Sequence, residues 1–291
     1  CDEDTVADNE TFLARAGDVT RRGFAAIGAA ALAACATSAE TAAQGVAEAE
    51  VVIPTPDGAA DCYFVHPAAG KHPAILVWPD IVGLRPAFRM MGKRLAEAGY
   101  AVLVVNPYYR QAKAPVLPEG ASFQDPAVRA KLMPLAQSLS PETNKIDAIA
   151  FVSWLDAQEA VDTARKIGTT GYCMGGAMTI RTAAARADRI GAGAAFHGGN
   201  GLATDQPNSP HLLIAQTKAR YLYCIAQNDD QSRPEVKTML KEAYAKAGLP
   251  AEIEVYPALH GWCALDSAVY NHDEAERAWA RQLALFEQAL A

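Results

Sequence analysis

Lys166-Ile167-Gly168-Thr169-Thr170-Gly171-Tyr172-Cys173-Met174-Gly175-Gly176-Ala177 is the stretch on which the reading of this chain turns. A β-rich lead-in runs into Gly-x-Cys-x-Gly, and an alanine-rich helical run with no Pro or Gly continues to Arg189. Strand, cramped turn and helix in that order form the context of a nucleophile elbow. Such a turn forces its central residue into a strained conformation and needs neighbours almost free of side chain, which Gly171 and Gly175 supply. The central residue is Cys173. A thiol at a helix N-terminus meets the positive end of the helix dipole, which favours the nucleophilic thiolate.

Outward from the elbow, apolar runs alternate with helical patterns. Val51–Ile53 and Cys62–Val65 flank Pro54-Thr55-Pro56-Asp57-Gly58, whose turn residues predict an antiparallel opening hairpin. Ala74–Trp78 and Ala101–Val105 are continuous apolar runs, as strands buried on both faces should be. Residues 86–98 carry Phe88, Met91 and Leu95 on one helical stripe, and Gly99 stops that helix. A Pro-rich excursion over 111–140 is expected to hold one short helix near Val128–Met133. Ser140-Pro141 then reads as N-cap and N1 of a helix reaching about Gln158. Beyond the elbow, Gly191–Phe196, Tyr221–Ala226 and Ile253–Tyr256 read as strands, with helices over 234–247 and 272–289. The alternation predicts an α/β fold: a doubly wound, mainly parallel sheet with helices on both faces and right-handed crossovers. Functional residues of such sheets gather at the carboxyl ends of the strands.

Composition narrows the classes. The chain has 291 residues, 51% of them hydrophobic, and a net charge of −7 with no basic stripe, so nucleic acid is not an expected partner. No apolar run after the leader is long enough to span a bilayer. No Cys-x-x-Cys or zinc-type Cys/His spacing occurs, so no metal site is expected. Residues 1–48 read as a leader and linker: Thr20-Arg21-Arg22-Gly23-Phe24 before a weak apolar run to Ala36 resembles a twin-arginine export signal, and Leu32-Ala33-Ala34-Cys35 resembles a lipoprotein processing site. They predict a periplasmic or otherwise exported protein, the alternative being an N-terminal extension on a cytoplasmic one. The folded domain is expected over 49–291, as a monomer.

A cysteine nucleophile needs a base, and the base an orienting acid. Asp229 and Asp230 follow the strand Tyr221–Ala226, and His260 follows the last strand in Tyr256-Pro257-Ala258-Leu259-His260-Gly261-Trp262. Nucleophile, acid, histidine is the chain order of α/β-hydrolases. Asp229, three residues past the strand end, is preferred over Asp230 as the acid. Oxyanion donors are expected from the backbone amides of Met174, after the nucleophile, and Ile81, after the earlier strand. Trp262 and Tyr109, or its neighbour Tyr108, are aromatic candidates for the pocket wall, packing under the loop being the alternative. His197 in Phe196-His197-Gly198-Gly199 is read as a structural histidine or a pocket residue.

From about residue 50 to 290 the sequence resembles the dienelactone hydrolase family of the α/β-hydrolases. The resemblance rests on Trp78-Pro79-Asp80-x-x-Gly83-Leu84, Asn106-Pro107-Tyr108-Tyr109-Arg110-Gln111-Ala112, Gly171-Tyr172-Cys173-Met174-Gly175-Gly176 and Tyr256-x-x-x-His260-Gly261. It implies a single domain, no cofactor, and a Cys-Asp-His triad of Cys173, Asp229 and His260 that hydrolyses small-molecule carboxylic esters or lactones through an acyl-enzyme. It also implies a thiol-activating carboxylate where this chain has Asp80, one methylene shorter than the family's Glu. Members that open dienelactone hold its carboxylate with two arginines; Arg110 matches one, and the second would fall where this chain reads Cys263-Ala264-Leu265-Asp266. Two rival functions are a non-catalytic exported protein binding an organic acid in the same cleft, and a thioesterase or acyltransferase.

Overall fold

The computed structural model describes residues 45–291. The arginine pair, Cys35 and the rest of the leader through residue 44 lie outside the described residues. Eight strands form one sheet: β1 (Val46–Thr55), β2 (Gly58–Pro67), β3 (Ala74–Trp78), β4 (Ala101–Val105), β5 (Ile167–Tyr172), β6 (Ile190–Phe196), β7 (Arg220–Ala226) and β8 (Ala251–Tyr256). Their spatial order is β1-β2-β4-β3-β5-β6-β7-β8. The β1–β2 hairpin and the β2–β4 pair are antiparallel, and every other pair is parallel. The hairpin is longer than the sequence suggests. Val46, Ala47 and Glu48 pair with Pro67, His66 and Val65, so the domain begins before residue 49.

Among the described residues seven α-helices accompany the sheet: α1 (Pro86–Glu97), α2 (Pro126–Gln137), α3 (Pro141–Asp156), α4 (Met174–Ala185), α5 (Gln227–Ser232), α6 (Glu235–Ala247) and α7 (His272–Ala289). Strand alternation divides the core. Leu76, Trp78, Leu103 and Val105 face a layer with Phe151 and Leu155 of α3, Ile180 of α4 and Leu240 of α6. Their neighbours Ile75, Val77, Val102 and Val104 face Phe88 and Leu95 of α1 and Phe286 of α7. Both faces of the central strands are therefore covered, which is why they read as unbroken apolar runs.

Helix α3 starts where the sequence places it. Ser140 and Thr143 form a capping box, each side chain receiving the other's backbone N–H at 3.1 and 2.9 Å. The excursion before it is more ordered than its Pro content suggests. Asp125 caps α2 by accepting from the Ala127 amide at 2.8 Å, and Leu132 packs with Tyr108, Val116 and Leu117 as a small separate core. After β7 a short helix, α5, forms, with Asp229 and Asp230 in its first turn, where the dipole favours carboxylates.

Candidate active site

β5 delivers the chain into the elbow. Cys173 takes φ 54° and ψ −121°, a conformation L-residues seldom adopt and one that costs on the order of 1–3 kcal/mol. The flanking glycines make it possible. A Cβ on Gly171 would lie 2.1 Å from the Gly175 carbonyl oxygen, and one on Gly175 would lie 2.3 Å from the Trp78 carbonyl oxygen and 2.8 Å from that of Pro79. The turn is thus pressed against the end of β3. Cys173 is half-buried, whereas Cys62, Cys224 and Cys263 are buried, and all four are free thiols. Burial pushes the thiols of those three up, so they are poor nucleophiles.

The histidine and the acid meet at the neighbouring strand ends. His260 Nδ1 lies 2.7 Å from Asp229 Oδ2, and the His260 amide donates to Asn228 Oδ1 at 2.8 Å. A carboxylate only accepts, so Nδ1 carries the proton and Nε2 is left for a second partner, the Cys173 side chain being near enough to raise the pKa of His260. Burial disfavours the imidazolium, but the hydrogen bonds to Asp229 and Cys173, with the negative charge on both, outweigh it and raise the pKa to about 10. Of the two aspartates, Asp230 turns away, pairing with Lys237 at 2.7 Å.

Ile81 and Met174 are joined through Tyr108. Met174 is the first residue of α4, so its amide has no partner within the helix. Among the described residues neither amide donates to another group. Ile81 is held from below: the Tyr108 hydroxyl donates to its carbonyl at 2.7 Å and reaches Met174 Sδ at 3.5 Å. Tyr108 is therefore the aromatic residue at the site, and the sequence alone could not choose it over Tyr109.

His197 is a second residue whose place the sequence left open. It is buried, has φ 38°, and its Nδ1 accepts from the Cys173 amide at 3.2 Å. Burial, and the positive charge of His260 beside it, hold it well below the usual histidine pKa, so it stays neutral with its proton on Nε2. Its ring meets those of His260 and Trp262 edge-on, at 5.1 and 5.2 Å between centroids. The hint in the sequence was a histidine at a strand's carboxyl end before two glycines.

Four expected contacts are not formed at the site. Arg110 donates to both oxygens of Asp147, at 2.8 and 2.7 Å, and to Asp57. Tyr109 donates to the same Asp147 at 2.7 Å. Both residues follow β4 and turn toward the β1–β2 hairpin, away from β5, because their polar partners lie there. Trp262 is fully buried, stacked on Tyr256 with ring centroids 5.4 Å apart, and so packs beneath the loop and does not wall a pocket. Asp80 directs both oxygens to Arg85, at 2.7 and 2.9 Å, and Oδ1 also accepts from the Val82 amide at 2.9 Å, so the carboxylate faces the guanidinium and not the thiol. Arg110→Ala should therefore cost stability and leave ester turnover within about threefold. Asp147 would stay buried without its cation, a loss of up to about 3–5 kcal/mol in denaturant unfolding.

No cluster of three His, Cys, Asp or Glu side chains suited to a metal occurs among the described residues, and no helix among them is long and apolar enough to cross a membrane. A strained Gly-x-Cys-x-Gly elbow after β5, a carboxylate after β7 and a histidine after β8 on this sheet match the layout of an α/β-hydrolase. The chain matches the dienelactone hydrolase family over residues 60–290, and it belongs to that family of hydrolases. A relative from Methylorubrum extorquens, provisionally named carboxymethylenebutenolidase, is 32% identical over 257 residues, covering 87% of this chain and 84% of its own. The carboxymethylenebutenolidase of Rhodococcus opacus is 26% identical, over 76% of this chain and 83% of its own. A crystal structure of a provisionally named dienelactone hydrolase from Klebsiella pneumoniae superposes with a TM-score of 0.71 at 25% identity, covering 84% of this chain and 99% of that one.

Proposed function

We propose that the protein hydrolyses carboxylic esters or lactones through an acyl-enzyme on Cys173, with His260 as the proton carrier and Asp229 as its orienting acid. The observation that carries this reading is the His260 Nδ1 contact with Asp229 at 2.7 Å, which leaves Nε2 open, with the Cys173 side chain near enough to raise the pKa of His260. The thiolate attacks the carbonyl carbon, and the oxygen takes up the electron pair between the Met174 and Ile81 amides. When the tetrahedral intermediate collapses, the C–O bond to the leaving group breaks and His260 Nε2 gives it a proton. An alcohol departs, or in a lactone the freed hydroxyl stays on the acyl chain. Neutral His260 then takes a proton from water as the hydroxide attacks the thioester. The C–S bond breaks, the acid leaves, and the thiolate–imidazolium pair is restored. Oxyanion donors of this kind typically contribute about 3–4 kcal/mol each to the transition state.

The test is a single-turnover experiment with p-nitrophenyl acetate and a panel of small lactones, quenched in acid and read by mass spectrometry. An acetyl group on the peptide containing Cys173, appearing and decaying at the rate of turnover, is expected. Turnover with no acylated Cys173 at any time would overturn the mechanism. Binding of organic acids with no turnover of any ester, thioester or lactone would favour a binding protein.

A further inference from the structure

Arg85 lies between two carboxylates carried by the two loops that frame the thiol. Its Nη1 and Nη2 donate to Asp80, and its Nε and Nη2 donate to Asp266 at 2.7 and 2.8 Å. With Nη1 also donating to the Gly83 carbonyl at 3.2 Å, all five N–H groups of the guanidinium are engaged. One cation and two anions leave a net charge of −1 in this cluster. The cluster stands at the site itself. Asp80 precedes Ile81, and Asp266 follows His260 in the same loop. The Tyr108 hydroxyl that holds Ile81 senses Asp80, Cys173 and Arg85 together.

Lys237 is paired with Asp230, the neighbour of Asp229, and Arg110 is committed to Asp57 and Asp147 on the hairpin side. Apolar surface borders the oxyanion side instead, from Ile81, Val82, Phe123 and Met174. An anion entering here meets the net negative charge of the Arg85 cluster, and Arg85, Lys237 and Arg110 are each already paired with carboxylates. An uncharged acyl group meets neither penalty.

We infer that the site selects uncharged ester or lactone substrates over carboxylate-bearing ones, and that Asp266, by neutralising Arg85 from the His260 loop, sets this preference. The substrate half of the inference rests on the hydrolase reading; the charge selection at Cys173 does not. Two measurements separate them. The first is the rate at which Cys173 is modified by methanethiosulfonates differing in charge: methyl, sulfonatoethyl and trimethylammonioethyl. The label is located by peptide mass spectrometry, corrected with a Cys173→Ala blank, and each rate is divided by that for 2-mercaptoethanol. At low ionic strength the anionic reagent should fall at least about tenfold behind the neutral one, and the gap should shrink in about 0.5 M salt. Asp266→Asn, a near-isosteric change at a half-exposed side chain, should speed the anionic reagent at least about threefold and leave the neutral one within about twofold. An anionic reagent as fast as the neutral one, or an unchanged ratio in Asp266→Asn, overturns the inference. The second measurement compares kcat/KM for p-nitrophenyl acetate with that for the p-nitrophenyl monoester of succinic acid, and the same ordering and the same response to Asp266→Asn are expected. Charge-ordered labelling without turnover of any ester would overturn the hydrolase reading while upholding the charge selection; turnover that favours the anionic ester overturns the substrate class.

Discussion

Cys173→Ala is expected to lower kcat/KM for small aryl esters by on the order of a thousandfold or more, the scale seen when a covalent nucleophile is removed from a working triad. The expectation follows from how little else in the elbow is nucleophilic. The other three described thiols are buried with their pKa values pushed up, and the remaining groups at the site are amides and a paired imidazole. The substitution removes only a sulfur from a half-exposed position, so the fold should persist, and circular dichroism with denaturant unfolding would verify that. Cys173→Ser should retain more activity than the alanine variant but far less than the parent. His260 must then extract a proton from a hydroxyl, whereas in the parent it already shares one with sulfur. Wild-type turnover in the alanine variant would show that the chemistry lies elsewhere.

The second large effect separates two adjacent aspartates. Asp229→Asn should depress kcat about 10²–10⁴-fold, because the amide neither stabilises the imidazolium nor enforces the tautomer. Asp230→Asn should stay within about threefold, since its partner is Lys237 and a half-exposed pair is worth about 0–1 kcal/mol. The same substitutions make a pH prediction. His260 holds its proton up to about pH 10 through the hydrogen bonds to Asp229 and Cys173, working against burial. Losing Asp229 removes one raising interaction and leaves the burial penalty, so the midpoint must move down. Asp230→Asn should leave it in place. Titration of the His260 ring by NMR reads this directly, and an unmoved midpoint in Asp229→Asn would contradict the assignment.

The elbow was legible in the sequence because its requirement is local. A side chain at Gly171 would meet the Gly175 carbonyl and one at Gly175 the carbonyls of Trp78 and Pro79, and two glycines at that spacing announce the fact. That Asp229 and not Asp230 meets His260 was also legible, since distance past a strand end decides which of two neighbours can reach the next loop. Arg110 was misplaced for the opposite reason. Its partners Asp57 and Asp147 lie 53 and 37 residues away in the chain, and nothing near Arg110 in the sequence announces them. Tyr108 and Tyr109 are adjacent residues facing opposite ways, a distinction that one register step after β4 reverses. Trp262 beside the base looked like a wall, but a histidine loop needs a buried floor, and the indole supplies it. Asp80 was carried over by family likeness, and its nearest cation was only five residues downstream. The arm from Arg85 to Asp266 spans 181 residues and is visible only in the fold.

Gly175 rests on the ends of Trp78 and Pro79, so backbone touches backbone between two crossovers that are remote in the chain. The spacing between the elbow and the end of β3, and with it that of the Met174 and Ile81 amides proposed to hold the oxyanion, is therefore set by main-chain contact, with no side chain in between to be exchanged. On the proposed mechanism, mutations that reshape the surrounding walls can alter which molecules enter without disturbing the grip on the reacting oxygen. A lineage built on this arrangement can drift through many substrates while its central chemistry stays put.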